Sequence, residues 1–167
     1  MTSAPAGRRD PSTRACGVPG ACDVRIRWAG PSELAVCQSI RHAVFVLGQG
    51  VRPEEEVDGE DPACRHVLAL RDGGAVGTAR IKPLDRTAKV QRVAVLAQSR
   101  GAGIGARIMT WIAHRLAEEG TWDAAVLGAQ THAMGFYERL GWRAEGPEYL
   151  DARIPHRDMR LRLRPRD

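Results

Sequence analysis

The 167-residue chain is poor in aromatics, which make up 5% of it, and it has no run of about 18 apolar residues of the kind that spans a bilayer. Behind the Arg8-Arg9 pair there is no apolar stretch that would make an export signal, so the expected location is the cytoplasm, with no membrane partner. Cysteine is sparse: Cys16, Cys22, Cys37 and Cys64 form no C-x-x-C pair and no ordered ligand spacing. They read as reduced, structurally incidental thiols rather than a zinc site. The five histidines, His42, His66, His114, His132 and His156, include no H-x-x-x-H pair, so no metal is expected. The net charge of +5 is carried by the ends of the chain. Residues 1–22 hold three Arg and one Asp and residues 153–167 hold six Arg and two Asp, which leaves a slightly negative middle. With so few aromatic platforms and no basic body, nucleic acid is not an expected partner.

What is there suffices for one domain, because 43% hydrophobic content can build a core at this length without metals or disulfides. Residues 1–22 are rich in Pro, Gly, Ala, Ser and Arg with no apolar period, and read as a disordered tail or as sequence upstream of a later start codon. The folded unit is expected over 23–167. Within it "VRIRW" alternates as a strand, and Pro31-Ser32 open a helix carrying Leu34, Cys37, Ile40 and Val44 on one side. "EEEVDGED", 54–61, is an acidic loop, and "HVLALRDGGAVGTARI" is two strands joined at Asp72-Gly73-Gly74. "KVQRVAVL" is a further strand. Ile104, Ile108, Ile112 and Leu116 mark an amphipathic helix stopped by Gly120. "AAVLGA" is a buried strand, "THAMGFYERL" a short helix ended by Gly141, and "DMRLRLR" a last strand with Met159, Leu161 and Leu163 on one face. The order β, α, loop, β, β, β, α, β, α, β predicts an α/β fold of the mixed-sheet α+β kind, with helices on the sheet faces.

Between the fourth of these strands and the long helix lies "QSRGAGIGARIM", with Gly101, Gly103 and Gly105 in five positions. A strand that ends in a glycine turn at a helix N-terminus exposes unpaired N–H groups where the helix dipole is positive, which makes an anion cradle. Glycine supplies backbone angles that other residues resist and lets an anion approach the amides. Arg100 adds a fixed positive charge. The lysine of a G-x-x-x-x-G-K-[ST] loop is absent. A dinucleotide fingerprint would have to tolerate Ala106 and follow its strand at once, whereas "AQSR" intervenes.

"RVAVLAQSRGAGIGARIM" with the downstream "AMGFYERLGW" resembles the GNAT acyl-coenzyme A N-acyltransferases over roughly residues 24–163. "RHAVFVLGQGV", "EVDGEDPACRH", "VGTARI", "AQTHAMGFYERLGW" and "IPHRDM" are similar to a bacterial subgroup with VFV-x-x-Q, E-x-D-x-x-D and IPH-x-x-M motifs. The resemblance implies a GNAT fold, a largely antiparallel central sheet splayed around the cofactor, and acetyl-CoA as acyl donor. It implies transfer to a primary amine of a small molecule or peptide by direct attack in a ternary complex. It implies that the amides of Arg100, Gly101, Ala102, Gly103, Ile104 and Gly105 bind the pyrophosphate, that Val93, Ala94 and Val95 hold the pantetheine arm, and that Gln130 hydrogen-bonds substrate or cofactor. Tyr137 is the expected acid that protonates the leaving thiolate.

The general base stays open among water, His132, Glu138 and the acidic loop, since "KVQR" offers no carboxylate on the strand. The loop's six carboxylates in eight residues suggest a field that gathers a cationic amine at the acceptor site, or a solvated loop. Two alternatives remain. Arg41 to Asp61 is also similar to the opening of acyl-homoserine lactone synthases, which use acyl-carrier protein, although these do not normally carry the R-x-x-G-x-G loop. The other is a coenzyme A sensor without catalysis. The arginines of the last strand, Arg160, Arg162 and Arg164, leave a homodimer open.

Overall fold

The computed structural model describes residues 23–163. The expected tail, Cys16, Cys22 and Arg164 lie outside them. One seven-stranded sheet runs in the order β1-β2-β3-β4-β5-β7-β6, from β1 (Val24–Trp28), β2 (Arg65–Arg71), β3 (Gly74–Leu84), β4 (Thr87–Val95), β5 (Ala124–Gln130), β6 (Arg143–Asp151) and β7 (Ile154–Arg162). Every neighbouring pair is antiparallel except β4 and β5. That parallel pair is joined only at Thr87–Lys89 against Ala124–Val126, so beyond Lys89 the two strands part.

The long helix α3 (Ile104–Glu119) covers one face. It buries Ile104, Ile108, Met109, Ile112 and Leu116 against β-strand residues such as Val67, Ile81, Val90 and Leu127, and each such aliphatic side chain contributes about 1.5–3 kcal/mol. Gly120, at φ 67, ends it as the sequence predicts. On the other face α1 (Leu34–Arg41) sets Cys37 and Ile40 on Leu68 and Ala94. It runs on into a π-helical turn, His42–Leu47, and a four-residue helix α2 (Pro53–Glu56) then takes in the first three carboxylates of the acidic segment, Glu54, Glu55 and Glu56. α4 (Met134–Arg139) sits beside the split on the α3 side. Among the described residues no helix is long and apolar enough to cross a membrane.

Two expectations need correction. The sheet has one strand more than the sequence pattern predicts, because β6 hides behind Gly146-Pro147. Gly146 takes φ 73, the β6–β7 register shifts between Glu145 and Glu148, and nearly the whole edge strand is exposed, so no apolar alternation marks it. β7 correspondingly begins at Ile154, not at Asp158. On it Arg160 pairs with Glu145 of β6 at 3.1 Å.

Candidate active site

The split between β4 and β5 is widened by a bulge. Gln91 pairs with Arg80 and Ala94 with Thr78, so Arg92 and Val93 together oppose Ala79 alone. Arg92 takes φ 55, a left-handed conformation that costs a non-glycine residue about 1–2 kcal/mol. Its side chain is tied down: Nε lies 2.7 Å from Glu56 Oε2, and Nη2 lies 3.2 Å from the Glu55 carbonyl and 3.3 Å from Asp58 Oδ2. The bulge also exchanges the strand's faces. Ala88 and Val90 pack on the α3 side and Ala94 on the α1 side, which turns Val93 and Val95 toward α3. Because the Leu96 N–H reaches back to Val76 on β3, alternation aims the peptide groups of Val93 and Val95 away from β3, into the split.

That open edge leads through a 3₁₀ turn (Ala97–Ser99) to the glycine turn. Gly101 and Gly103 take φ 82 and 72, and a Cβ on either would meet nothing within 4 Å, so it is the backbone angle, not space, that demands glycine. Gly105 sits in the first turn of α3, where a Cβ would lie 3.5 Å from the Phe136 ring. The Arg100 N–H donates to the Ala97 carbonyl at 3.3 Å, whereas the N–H groups of Gly101 to Gly105 have no acceptor among the described residues. Five unpartnered backbone donors thus lie at or just before the positive end of a 16-residue helix. The Arg100 guanidinium reaches back to the Val95 carbonyl at 3.2 Å.

A cleft of about 500 Å³ joins the two faces through the split. From the α3 side Tyr137 enters it, half-buried, its ring edge-on to Phe136 and Trp142. Burial pushes its phenol up to about 12, so it stays protonated at neutral pH. From the α1 side come Gln49, Lys89, Gln91, Gln130, Tyr149 and His156. Gln130 and Gln49 exchange amide hydrogen bonds of 2.8 and 3.3 Å across it. Tyr149 lies over Gly128, where a Cβ would collide with its hydroxyl, and donates to Asp158 at 2.8 Å. Burial, then the Asp158 hydrogen bond, raises the Tyr149 phenol above its ordinary value.

The acidic loop does not carry the expected cation-gathering field. Glu56 and Asp61 are buried. Arg41 holds both, with Nε 2.5 Å from Glu56 and Nη1 2.8 Å from Asp61, and fully buried Arg80 clasps Asp58 and Asp61 at 2.8 and 3.0 Å. Lys82 binds Glu60 at 2.5 Å, so with Arg92 four cations answer four carboxylates. Glu55 is spent on Arg153 at 3.0 Å. The guanidiniums hold Asp58 well below the usual carboxylate range. For Asp61, burial pushes upward, but hydrogen bonds from Arg41, Gln38 and Arg80 prevail and hold it low. The residues that resemble the lactone-synthase opening are therefore an ion-pair brace under the β4 bulge, with Arg41, Glu56 and Asp61 buried and Asp58 at its exposed rim.

Of the residues expected at the site, Val93, Ala94, Val95, Arg100, Gln130 and Tyr137 line this one cleft, and the turn from Gly101 to Gly105 continues from its β4 wall. His132 reaches the cleft, exposed, whereas Glu138 is exposed on α4 and does not line it. Among the described residues no group of three His, Cys, Asp or Glu side chains could hold a metal. Arg92, Tyr149 and the role of Gln49 escape the sequence reading. The bulge is invisible in an apolar run, and Tyr149 belongs to the unrecognised β6.

Residues 43–163 match the acetyltransferase (GNAT) domain family. An uncharacterized N-acetyltransferase of Bacillus subtilis, YjcF, is 36% identical over 121 residues, covering 72% of this chain and 86% of its own. The crystal structure of an acyl-CoA N-acyltransferase from Pseudomonas aeruginosa is similar at 28% identity with a TM-score of 0.72, covering 83% of this chain and 98% of that one. An aminoglycoside 6'-N-acetyltransferase crystallised with coenzyme A shares the fold at 16% identity and a TM-score of 0.67, over 85% of this chain and 98% of that one. With strands parted over a glycine turn and a family match across most of its length, the chain belongs to the GNAT acetyltransferases, a family of acyl-transferring enzymes.

Proposed function

We propose that the protein transfers an acetyl group from acetyl-CoA to a primary amine of a small molecule or peptide, by direct attack within a ternary complex. The observation that carries this reading is the open β4 edge running into a left-handed glycine turn at the N-terminus of a 16-residue helix. Peptide donors aimed into the split suit an extended amide-bearing arm, and five free N–H groups at a helix start suit a pyrophosphate. The coenzyme A complex of the aminoglycoside acetyltransferase, a fold neighbour, supports the same donor.

Acetyl-CoA supplies the acyl group as an activated thioester. In this reading Gly101, Ala102, Gly103, Ile104 and Gly105 hold the diphosphate with their N–H groups, and Arg100 adds charge at the turn. Val93, Ala94 and Val95 align the pantetheine arm, and a Val93 or Val95 N–H meets the oxyanion that develops on the carbonyl. Gln130, cross-linked to Gln49, closes over the chain end where acceptor and donor meet. Tyr137 gives its proton to the departing thiolate. Burial raises the phenol, and it raises the proton affinity of a thiolate in the same place, so the two stay matched for transfer.

The test is thiol release from acetyl-CoA over a panel of amines, amino acids, polyamines and aminoglycosides, run beside Tyr137→Phe. Turnover with at least one amine, lowered about 100-fold in the variant at unchanged acetyl-CoA affinity, is the expected outcome. Calorimetry that detects no acetyl-CoA binding, or a variant as fast as the parent, refutes it.

A further inference from the structure

The reaction leaves one role without a residue: the acceptor nitrogen sheds a proton, and no group already assigned takes it. The acidic loop cannot, since Glu55, Glu56, Asp58, Glu60 and Asp61 are all spent on cations and Glu54 does not line the cleft. Gln91 stands on the strand where a carboxylate would serve, and its amide oxygen accepts from Arg80 at 3.0 Å. Glu138 lies outside the cleft. His132 is exposed, and no described residue fixes its ring.

His156 differs. It lies on β7 opposite Gln130 of β5 and Tyr149 of β6 in register. Alternation turns it away from buried Met159 toward the α1 side, where it lines the cleft half-buried. Its ring stacks on Tyr149 with centroids 5.9 Å apart and planes at 21°, and Tyr149 is itself anchored on Asp158. Nδ1 lies 2.7 Å from the Ile154 carbonyl oxygen. A carbonyl only accepts, so Nδ1 carries the proton and, in the neutral ring, Nε2 holds a bare lone pair. No described residue occupies Nε2. A ring held in one plane, in one tautomer, with its basic nitrogen unengaged beside a cleft, is what a proton acceptor requires.

We propose that His156 is the general base of the transfer, its Nε2 taking the proton from the acceptor nitrogen; this rests on the acetyl-transfer reading above. The neutral amine forms a C–N bond to the thioester carbonyl carbon, and Nε2 accepts the proton that the nitrogen loses. The C–S bond breaks with its electron pair leaving on sulfur, and the Tyr137 hydroxyl protonates that sulfur. Solvent then carries the proton from the imidazolium back to the tyrosinate. Amine and thioester thus become amide and thiol with no proton gained or lost. The charged and titratable groups around His156 are Tyr149 stacked on it, Asp158 behind that ring, Asp151 and the Glu55–Arg153 pair at the rim, and Lys89 and Arg92 on β4.

Two measurements test this. Long-range ¹⁵N–¹H correlation spectra of the ligand-free protein should show His156 protonated on Nδ1 and bare on Nε2; a ring protonated on Nε2 alone overturns the proposal whatever the variants do. In His156→Gln and His156→Ala, with folding checked by thermal melting, kcat should fall about 100-fold while acetyl-CoA affinity stays within threefold, and the acidic limb of the kcat profile at saturating acceptor should lose one ionisation relative to the parent. Turnover in the parent with either folded variant as fast, or with as many ionisations on the acidic limb of kcat as the parent, overturns the base and leaves acetyl transfer standing. A parent that binds acetyl-CoA and acetylates no amine overturns both.

Discussion

Arg92 is held in a conformation that it resists, and replacing it separates the backbone's need from the side chain's. Glu56 keeps Arg41 at 2.5 Å when Arg92 is removed, so the loss falls below the roughly 3–5 kcal/mol of a buried charge left wholly unpaired. Both Arg92→Ala and Arg92→Gly suffer that loss equally. They differ in what the freed backbone then does. Alanine still bears about 1–2 kcal/mol of left-handed strain with nothing to hold it, so the bulge relaxes. Glycine accepts φ 55 freely, so the bulge survives. Global stability is a poor readout, because glycine's extra unfolded-state freedom, about 0.4–1 kcal/mol, offsets much of the relieved strain. Acetyl-CoA affinity and kcat/KM report on the bulge directly. The expected order is parent, then Arg92→Gly, then Arg92→Ala, with the last two about tenfold apart, as 1.4 kcal/mol implies. Equal values for the two variants in calorimetry and in thiol release refute the idea that the ion-pair brace acts by holding the bulge.

At the glycine turn, Gly103→Ala should weaken acetyl-CoA binding about tenfold through about 1–2 kcal/mol of strain, whereas Gly105→Ala, meeting Phe136 at an ordinary 3.5 Å, should stay within a few-fold by calorimetry. Gly128→Ala puts a Cβ into the Tyr149 hydroxyl and should raise acceptor KM while leaving acetyl-CoA affinity alone. Asp58 and Asp61 are lower in the folded state than in the unfolded chain, so their stabilisation is complete above about pH 4 and drains as pH falls toward the folded values. Asp61→Asn should lose stability at pH 7, by less than the roughly 3–5 kcal/mol of a fully stranded buried charge, and show a shallower acid slope in urea unfolding.

The parts of this molecule that follow local rules are legible in its sequence. The four-residue apolar repeat of α3, its glycine stop and the left-handed glycines before it each carry their geometry in residue type. Tyr137 and the β4 wall are legible through the motif around them. The acidic loop misleads because its partners, Arg41, Arg80, Lys82 and Arg92, arrive from α1, β3 and β4, and no local pattern predicts which carboxylates a distant guanidinium will neutralise. β6 is hidden by a Gly-Pro break in an exposed edge. His156 is visible as a letter in "IPHRDM", but its tautomer depends on a carbonyl two residues away and its plane on a ring from β6.

The bulge at Arg92–Val93 links these observations. Along "KVQRVAVL" strict alternation puts residues 90 and 94 on one face, yet Val90 packs with α3 and Ala94 with α1. The exchange sets Lys89 and Gln91 on the face that carries His156 and Gln130, and Val93 and Val95 on the face that carries Tyr137. The strand therefore passes from one chamber to the other at the level where β5 has parted from it. A regular strand would keep Gln91, Val93 and Val95 on a single face, and the two chambers would share no backbone at their junction. A buried ion-pair brace is well suited to hold such a crossing. Its guanidiniums reach side chains and carbonyls of one loop at once, and that loop, unlike the solvated segment its composition suggests, is fixed by Arg41 and Arg80 from below. The charge that sequence reading assigns to attracting a substrate is consumed in shaping the strand on which the substrate would be acylated.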